Sequence, residues 1–240
     1  MPTTEIAVIP LIAGASIGDP GSHAAAVMRD IVTTLHQQDG LQQVHFGAQV
    51  ESPNVLQMMI SKNQTPHSQA LLKIILIPTL SDWDSRQHHE TFQASTAYQS
   101  FVKRLGAIMF ASPQIHHVDF EPAGALAKAF SAPVTEVATF YCDVEPISDW
   151  LSNASKAVSR LEEQPASAGY LSSSYGITHE VVEYKGVKGK AAVIAIGWTN
   201  KEAHLAFRET QTFRENIGLL RGEAKAIEMH HVAMMAASQE

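Results

Sequence analysis

Cysteine is nearly absent: the chain of 240 residues carries one, Cys142. A single thiol excludes an internal disulfide framework and fits a reducing compartment. Basic runs are missing as well. Lys and Arg number 17 against 24 Asp and Glu, a formal net charge of −7, so nucleic acid is a disfavoured partner. Long apolar runs are also missing. The most apolar stretch, Ala70–Leu80, carries Lys73 and is far shorter than the roughly 20 residues of a spanning helix. The N-terminus has an apolar stretch but no basic n-region, and Glu5 precedes it. It reads as a strand and not as a signal peptide. A cytoplasmic protein without a membrane partner is expected. The sequence also lacks GxGxxG, a P-loop lysine, HExxH and CxxC. The glycine-rich Gly14–Gly21 is therefore no phosphate cradle, and neither a metal nor a cofactor is expected.

What is present is a repeat. The hydrophobic share of 45% can build a core. At a constant offset Trp83 falls on Trp198, His89 on His204, Phe92 on Phe207, Tyr98 on Phe213 and Leu105 on Leu220. After a slip of one residue, His116-His117-Val118 falls on His230-His231-Val232. Residues of these types in one order mark two copies of a single unit. The expected organisation is a first unit over 1–120, a connection over 121–133 and a second unit over 134–240.

Taken in order, Ile6–Leu11 is β-rich, and Ser22 caps a helix to about Gln38. Leu41–Val50 and Val55–Ile60 read as a hairpin. Trp83 opens a helix to about Leu105, and Ile115–Phe120 is the fourth strand. The second copy repeats the order. Val134–Cys142 is a strand, Pro146–Glu163 a helix with apolar residues at helical spacing, and Ala168–Ile177 and Ala191–Ile196 are strands flanking a hairpin tip. Thr199 or Asn200 caps a helix to about Phe213, followed by a short helical turn to Leu220. Ala226–Met235 is the last strand. Each unit is β-α-β-β-α-β, the ferredoxin-like order.

Ser61–Ser81 has no counterpart in the second copy, where the strand at Ala191–Ile196 runs straight through Gly197 into Trp198. Three readings stay open: a lid or partner-binding loop, an extra surface element, or a translated short intron whose removal restores the repeat.

Two such units, each with Trp at a strand-to-helix turn, together with the helix KEAHLAFRETQTF and a closing strand, resemble the dimeric α+β barrel superfamily. The nearest likeness is to the antibiotic-biosynthesis-monooxygenase-type (ABM) domain and its stress-response and EthD-like relatives, in tandem forms similar to those of filamentous fungi. The resemblance implies an α+β fold in which two tandem ferredoxin-like units close their sheets into one intramolecular barrel, as a monomer or homodimer. It also implies cofactor-free oxygenase or cyclase chemistry of secondary metabolism on a small apolar aromatic or polyketide-like molecule. Haem-degrading relatives carry Trp and a ligating His at places that fall here on Phe207 and Ile217, so haem in that mode is not expected.

The residue types suggest roles within that frame. An imidazole can take a proton from a phenol or carbon acid, and His230 and His116 are the candidates if they face a pocket under the helices. Adjacent strand residues face opposite ways, so one histidine of each pair serves a given face. Arg208 or His204 would hold an anion. Trp198, Phe207, Trp83 and Tyr141 would contact the ligand. The bland readings stand beside these: half-buried histidines bonded to neighbouring elements, tryptophans packing the helix start, and a solvated Arg208 paired with Glu209 or Glu215. Two other functions stay open, a non-catalytic stress-response or ligand-binding protein and a partner-binding module.

Overall fold

A computed structural model of the chain describes residues 3–37, 41–62, 96–143, 149–222 and 224–236. Trp83, His89, Phe92 and most of the Ser61–Ser81 segment lie outside the described residues. The chain divides into two compact units, Met1–Ile115 with Met235–Glu240, and His116–Met234.

In the first unit β1 (Thr3–Pro10) pairs antiparallel with β3 (Val55–Lys62), and β3 pairs with β2 (Leu41–Ala48). The short β11 (Met235–Ala236) adds to the outer edge of β2. Helix α1 (His23–His36) starts where Ser22 accepts from the Ala25 N–H, which satisfies one of the orphan donors of the first turn. Its apolar residues Val27, Met28, Ile31 and Leu35 join Ile9, Leu56 and Met58 of the strands, and Phe101 and Leu105 of α2 (Thr96–Gly106), in one core. Arg104 holds α2 to α1 through Thr34 Oγ1 at 3.1 Å.

Strand β4 (Gln114–Asp119) is followed by α3 (Ala123–Phe130). The second unit is built on a four-stranded antiparallel sheet in the order β10 (Ala226–Val232), β5 (Val134–Tyr141), β9 (Ala191–Trp198), β6 (Tyr170–Ile177). That is the strand order of a ferredoxin-like unit. Between β6 and β9 the chain makes a small arm from β7 (Val182–Tyr184) and β8 (Val187–Gly189), at the expected hairpin tip. Helix α4 (Trp150–Glu162) covers one face with α5 (Lys201–Arg208) and α6 (Gln211–Arg221). Trp150 Nε1 donates to the Leu220 carbonyl at 2.9 Å and ties α4 to the end of α6.

The other face carries α3. Small and hydroxylic residues make the close approach: Thr135 donates to the Ala129 carbonyl, Ser172 to that of Ala125 and Ser174 to that of Pro122. A Cβ on Gly197 would lie 2.8 Å from Ala132 Cβ and 3.0 Å from Ala129 Cα, so only glycine admits the helix at this depth.

Two expectations are corrected. The helix expected to run from Asn200 to about Phe213 is broken at Glu209. Thr210 Oγ1 donates to the Phe207 carbonyl and accepts from the Phe213 N–H, so it ends α5 and caps α6. Nor does strand pairing among the described residues form a closed barrel. The sheets are separate sets, and beyond β6 there are only isolated bridges, Val118 to Thr178 and Glu121 to Tyr175.

Candidate functional site

The helical face of the second sheet encloses a cavity of about 70 Å³ under α4, α5 and α6. Its walls are largely apolar, with Ala138 and Phe140 of β5, Ile194 and Ile196 of β9, Phe207 of α5, and Phe213 and Ile217 of α6. Arg160, Thr212 and Asn216 are its polar members on the helices. One end is different, where Glu136, Trp198 and His204 meet.

Strand alternation puts Glu136, Ala138 and Phe140 on one face of β5. The carboxylate of Glu136 therefore enters an apolar space, where a bare charge is costly. Trp198 Nε1 donates to Glu136 Oε2 at 3.0 Å. His204 Nε2 lies 3.4 Å from the same oxygen, longer than an ordinary hydrogen bond. Burial dominates and pushes the Glu136 carboxyl up to about 7, against the lowering effects of the Trp198 hydrogen bond and the Arg208 charge. A carboxyl with that affinity exchanges its proton near neutral pH, as a general acid or base must.

His204 is fixed on all sides. The Asn200 side chain accepts from the Ala203 N–H and sets the start of α5. The imidazole stacks on Trp198 with ring centroids 5.2 Å apart and an interplanar angle of 21°. Its second nitrogen, Nδ1, is 2.7 Å from His231 Nε2. His231 pairs across the β10–β5 ladder with Glu136, so both point to the helical face. Both histidines are buried. Glu136, His204 and His231 thus form a chain of groups that can each hold or release a proton.

The sequence-derived candidates divide accordingly. His204, Trp198 and Phe207 come together at the cavity. His230 does not: it pairs with Val137 and lies on the opposite sheet face. The imidazole on the helical face is the next one, His231, a correction that follows from strand alternation. Arg208 is exposed on α5 and acts on Glu136 only through its charge. Tyr141 donates to Glu228 Oε2 at 3.0 Å and stacks on Tyr184 at 4.6 Å, away from the cavity walls. His116 is buried on β4 and does not line the cavity. Trp83 lies outside the described residues.

Two residues of this site were missed: Glu136, and His231 as distinct from its neighbour. The signal was available. Glu136 is the lone charged residue of the strand VTEVATFY, and Thr4-Glu5-Ile6-Ala7 reads like Thr135-Glu136-Val137-Ala138. The repeat therefore carries Glu, Trp, His and His twice: Glu5, Trp83, His89, His117 and Glu136, Trp198, His204, His231. Glu5 is also fully buried. Among the described residues no group of three or more His, Cys, Asp or Glu is arranged to hold a metal.

No family model and no curated protein matches the sequence. Solved structures do. The chain is similar to an anthrone oxidase-like protein at 12% identity and a TM-score of 0.63, covering 99% of this chain and 94% of that one. It is similar to a protein of Fusobacterium nucleatum provisionally named a monooxygenase, at 10% identity and a TM-score of 0.58, covering 98% and 93%. A protein of Lactobacillus acidophilus with the same provisional name matches at 11% identity and a TM-score of 0.51, covering 99% and 94%. None of these three is described as EthD-like or fungal. At such identities the likeness concerns the fold: the chain has the α+β fold of these three proteins over nearly its whole length.

Proposed function

We propose that the second unit is an oxygenase-type enzyme site for a small, planar, weakly acidic aromatic molecule, with Glu136 and His204 as its acid–base pair. The observation that carries this reading is the buried Glu136 carboxyl, poised near neutrality beside His204 at the end of an apolar, aromatic-walled cavity. Trp198 and Phe207 would flank the ligand. The tandem reading of the chain, two copies of one ferredoxin-like unit, belongs to the same proposal.

A carbon acid such as an anthrone, a probe suggested by the name of one structural neighbour, fits the chemistry. The pair takes a proton from its CH2 carbon and leaves the electron pair there. One electron passes to dioxygen, the co-reactant, and carbon radical and superoxide join in a C–O bond. The peroxide takes up a proton. Loss of the second C–H proton with cleavage of the O–O bond leaves a ketone and water. The site's part is to hold the two protons in turn and to keep bulk water away.

The cavity is about 70 Å³, roughly half of the ~150 Å³ that admits benzene, so a tricyclic ligand requires α6 to move outward. That helix has no fully buried residue, in keeping with such a cover. The test is oxygen uptake and ketone formation from anthrone by the purified protein. His204→Ala and Glu136→Gln are each expected to lower kcat/KM by roughly 100-fold or more. Unchanged turnover in both variants would overturn the assignment. Tight binding without turnover would favour a ligand-binding protein.

A further inference from the structure

We propose that His231 is a positioning residue for this site, and that it decides which nitrogen of His204 carries the proton and so what His204 presents to the ligand. The inference rests on the reading of Glu136 and His204 as the acid–base pair. Its geometry stands without it: His204 Nδ1 and His231 Nε2 are 2.7 Å apart, both rings are buried, and the register sets His231 directly opposite Glu136.

Two nitrogens at that separation share one hydrogen, so one ring donates and the other accepts. If His231 Nε2 carries the hydrogen, His204 Nδ1 accepts it. The hydrogen of a neutral His204 then sits on Nε2 and faces the Glu136 carboxylate. If His231 Nε2 is bare, His204 Nδ1 donates, and Nε2 is a bare base facing the protonated acid. With three protons on the triad these are two forms of one state. In the first, Glu136 is a carboxylate; in the second it holds the proton. Moving two protons one step each interconverts them, once His204 Nε2 and Glu136 Oε2 close from 3.4 Å to hydrogen-bond distance. Among the described residues, Arg208 on α5 is a charged group that acts on Glu136 of β5, and His230 lies on the far face of β10. Glu136 titrates near neutrality, which keeps both forms within reach.

His231 faces the helical side of the sheet and His230 the opposite side, so only His231 can reach His204.

The test compares His231→Phe, which can neither donate nor accept, with His231→Gln, which can do both. Two-bond proton–nitrogen NMR of the ligand-free protein reads the His204 tautomer, and steady-state turnover of anthrone reads kcat and KM separately. In the native protein above the Glu136 transition, His204 is expected as a single tautomer with its hydrogen on Nε2. His231→Phe is expected to give a mixture of tautomers and a kcat lower by about 10- to 100-fold, the scale seen when an orienting partner is removed, with KM little changed. His231→Gln is expected to restore the single tautomer and most of kcat. If His231→Phe does not fold, His231→Asn takes its place, since its head group is too short to reach Nδ1. An unchanged His204 spectrum in the non-bonding variant overturns the proposal. A changed spectrum in a protein that turns over no anthrone leaves His231 as the positioning residue and sinks only the proposed reaction.

Discussion

His231 stands directly opposite Glu136 across the β10–β5 ladder, and the ring of His204 reaches both, at 2.7 Å and 3.4 Å. Three residues far apart in sequence thus meet in one buried polar cluster. Two are strand positions whose direction is fixed by alternation, and the third is delivered by a capped helix. Buried polar networks of this kind are costly unless every member has a partner.

Glu136→Gln is expected to stabilise the protein at alkaline pH. The folded-state carboxyl sits at about 7, above its ordinary 4.5, because of burial. The folded state therefore holds its proton more tightly than the unfolded chain. That contribution is complete below pH 4.5 and is lost as pH rises through 7. At full extent it is on the order of 3 kcal/mol. Glutamine can still accept from the Trp198 N–H and does not ionise. Chemical denaturation of both proteins at several pH values should show the variant gaining on the native protein from pH 5 to 8. A constant difference across that range would contradict a raised carboxyl.

His116→Phe is expected to protect the protein in mild acid. Burial is the largest influence on this imidazole and brings it down to about 4, with a smaller raising effect from Glu180 and a lowering one from His117. Its Nε2 has no hydrogen-bond partner among the described residues. The unfolded chain takes up this proton first, so the native protein loses stability as pH falls from 6.5 towards 4, by up to about 3 kcal/mol. Phenylalanine cannot titrate and should flatten that part of the stability curve. Glu180 acts lower down. Burial would raise it, but its hydrogen bonds to the His117 ring and backbone outweigh this and hold it at about 2. Its contribution is lost only below about 4.5, so acid loss in that lower window should persist in the variant.

Gly197→Ala is expected to destabilise the second unit by about 1–3 kcal/mol, the usual cost of overpacking. The added methyl would meet Ala132 Cβ at 2.8 Å and the Ala129 backbone at 3.0 Å. Backbone cannot move aside as a flexible side chain does, so α3 would have to lift off the sheet. The midpoint of denaturant unfolding measures this. A Gly197→Ala protein as stable as the native one would mean that α3 docks less tightly than the contacts require.

Local order was legible in the sequence. Ser22, Asn200, the hairpin tip at 179–190 and the strands β5 and β9 are read from neighbouring residues alone, because caps, turns and short apolar runs are local features. The coarse likeness to an α+β fold followed from the order of these elements. The break at Thr210 was missed, because a threonine within an apolar periodicity fits a helix interior as well as a cap until its hydroxyl finds the Phe207 carbonyl.

The sequence by itself determined the elements, the capped helix that carries His204 and the presence of paired histidines. Tertiary structure alone decided which histidine of the pair matters and that Glu136 belongs with it. Helix and strand periodicity depend on residues a few positions apart. The site depends on residues 136, 204 and 231 meeting, and their meeting is set by ladder register and by how deeply α5 packs. A slip of one residue in β10 would have turned His230 to His204 in place of His231.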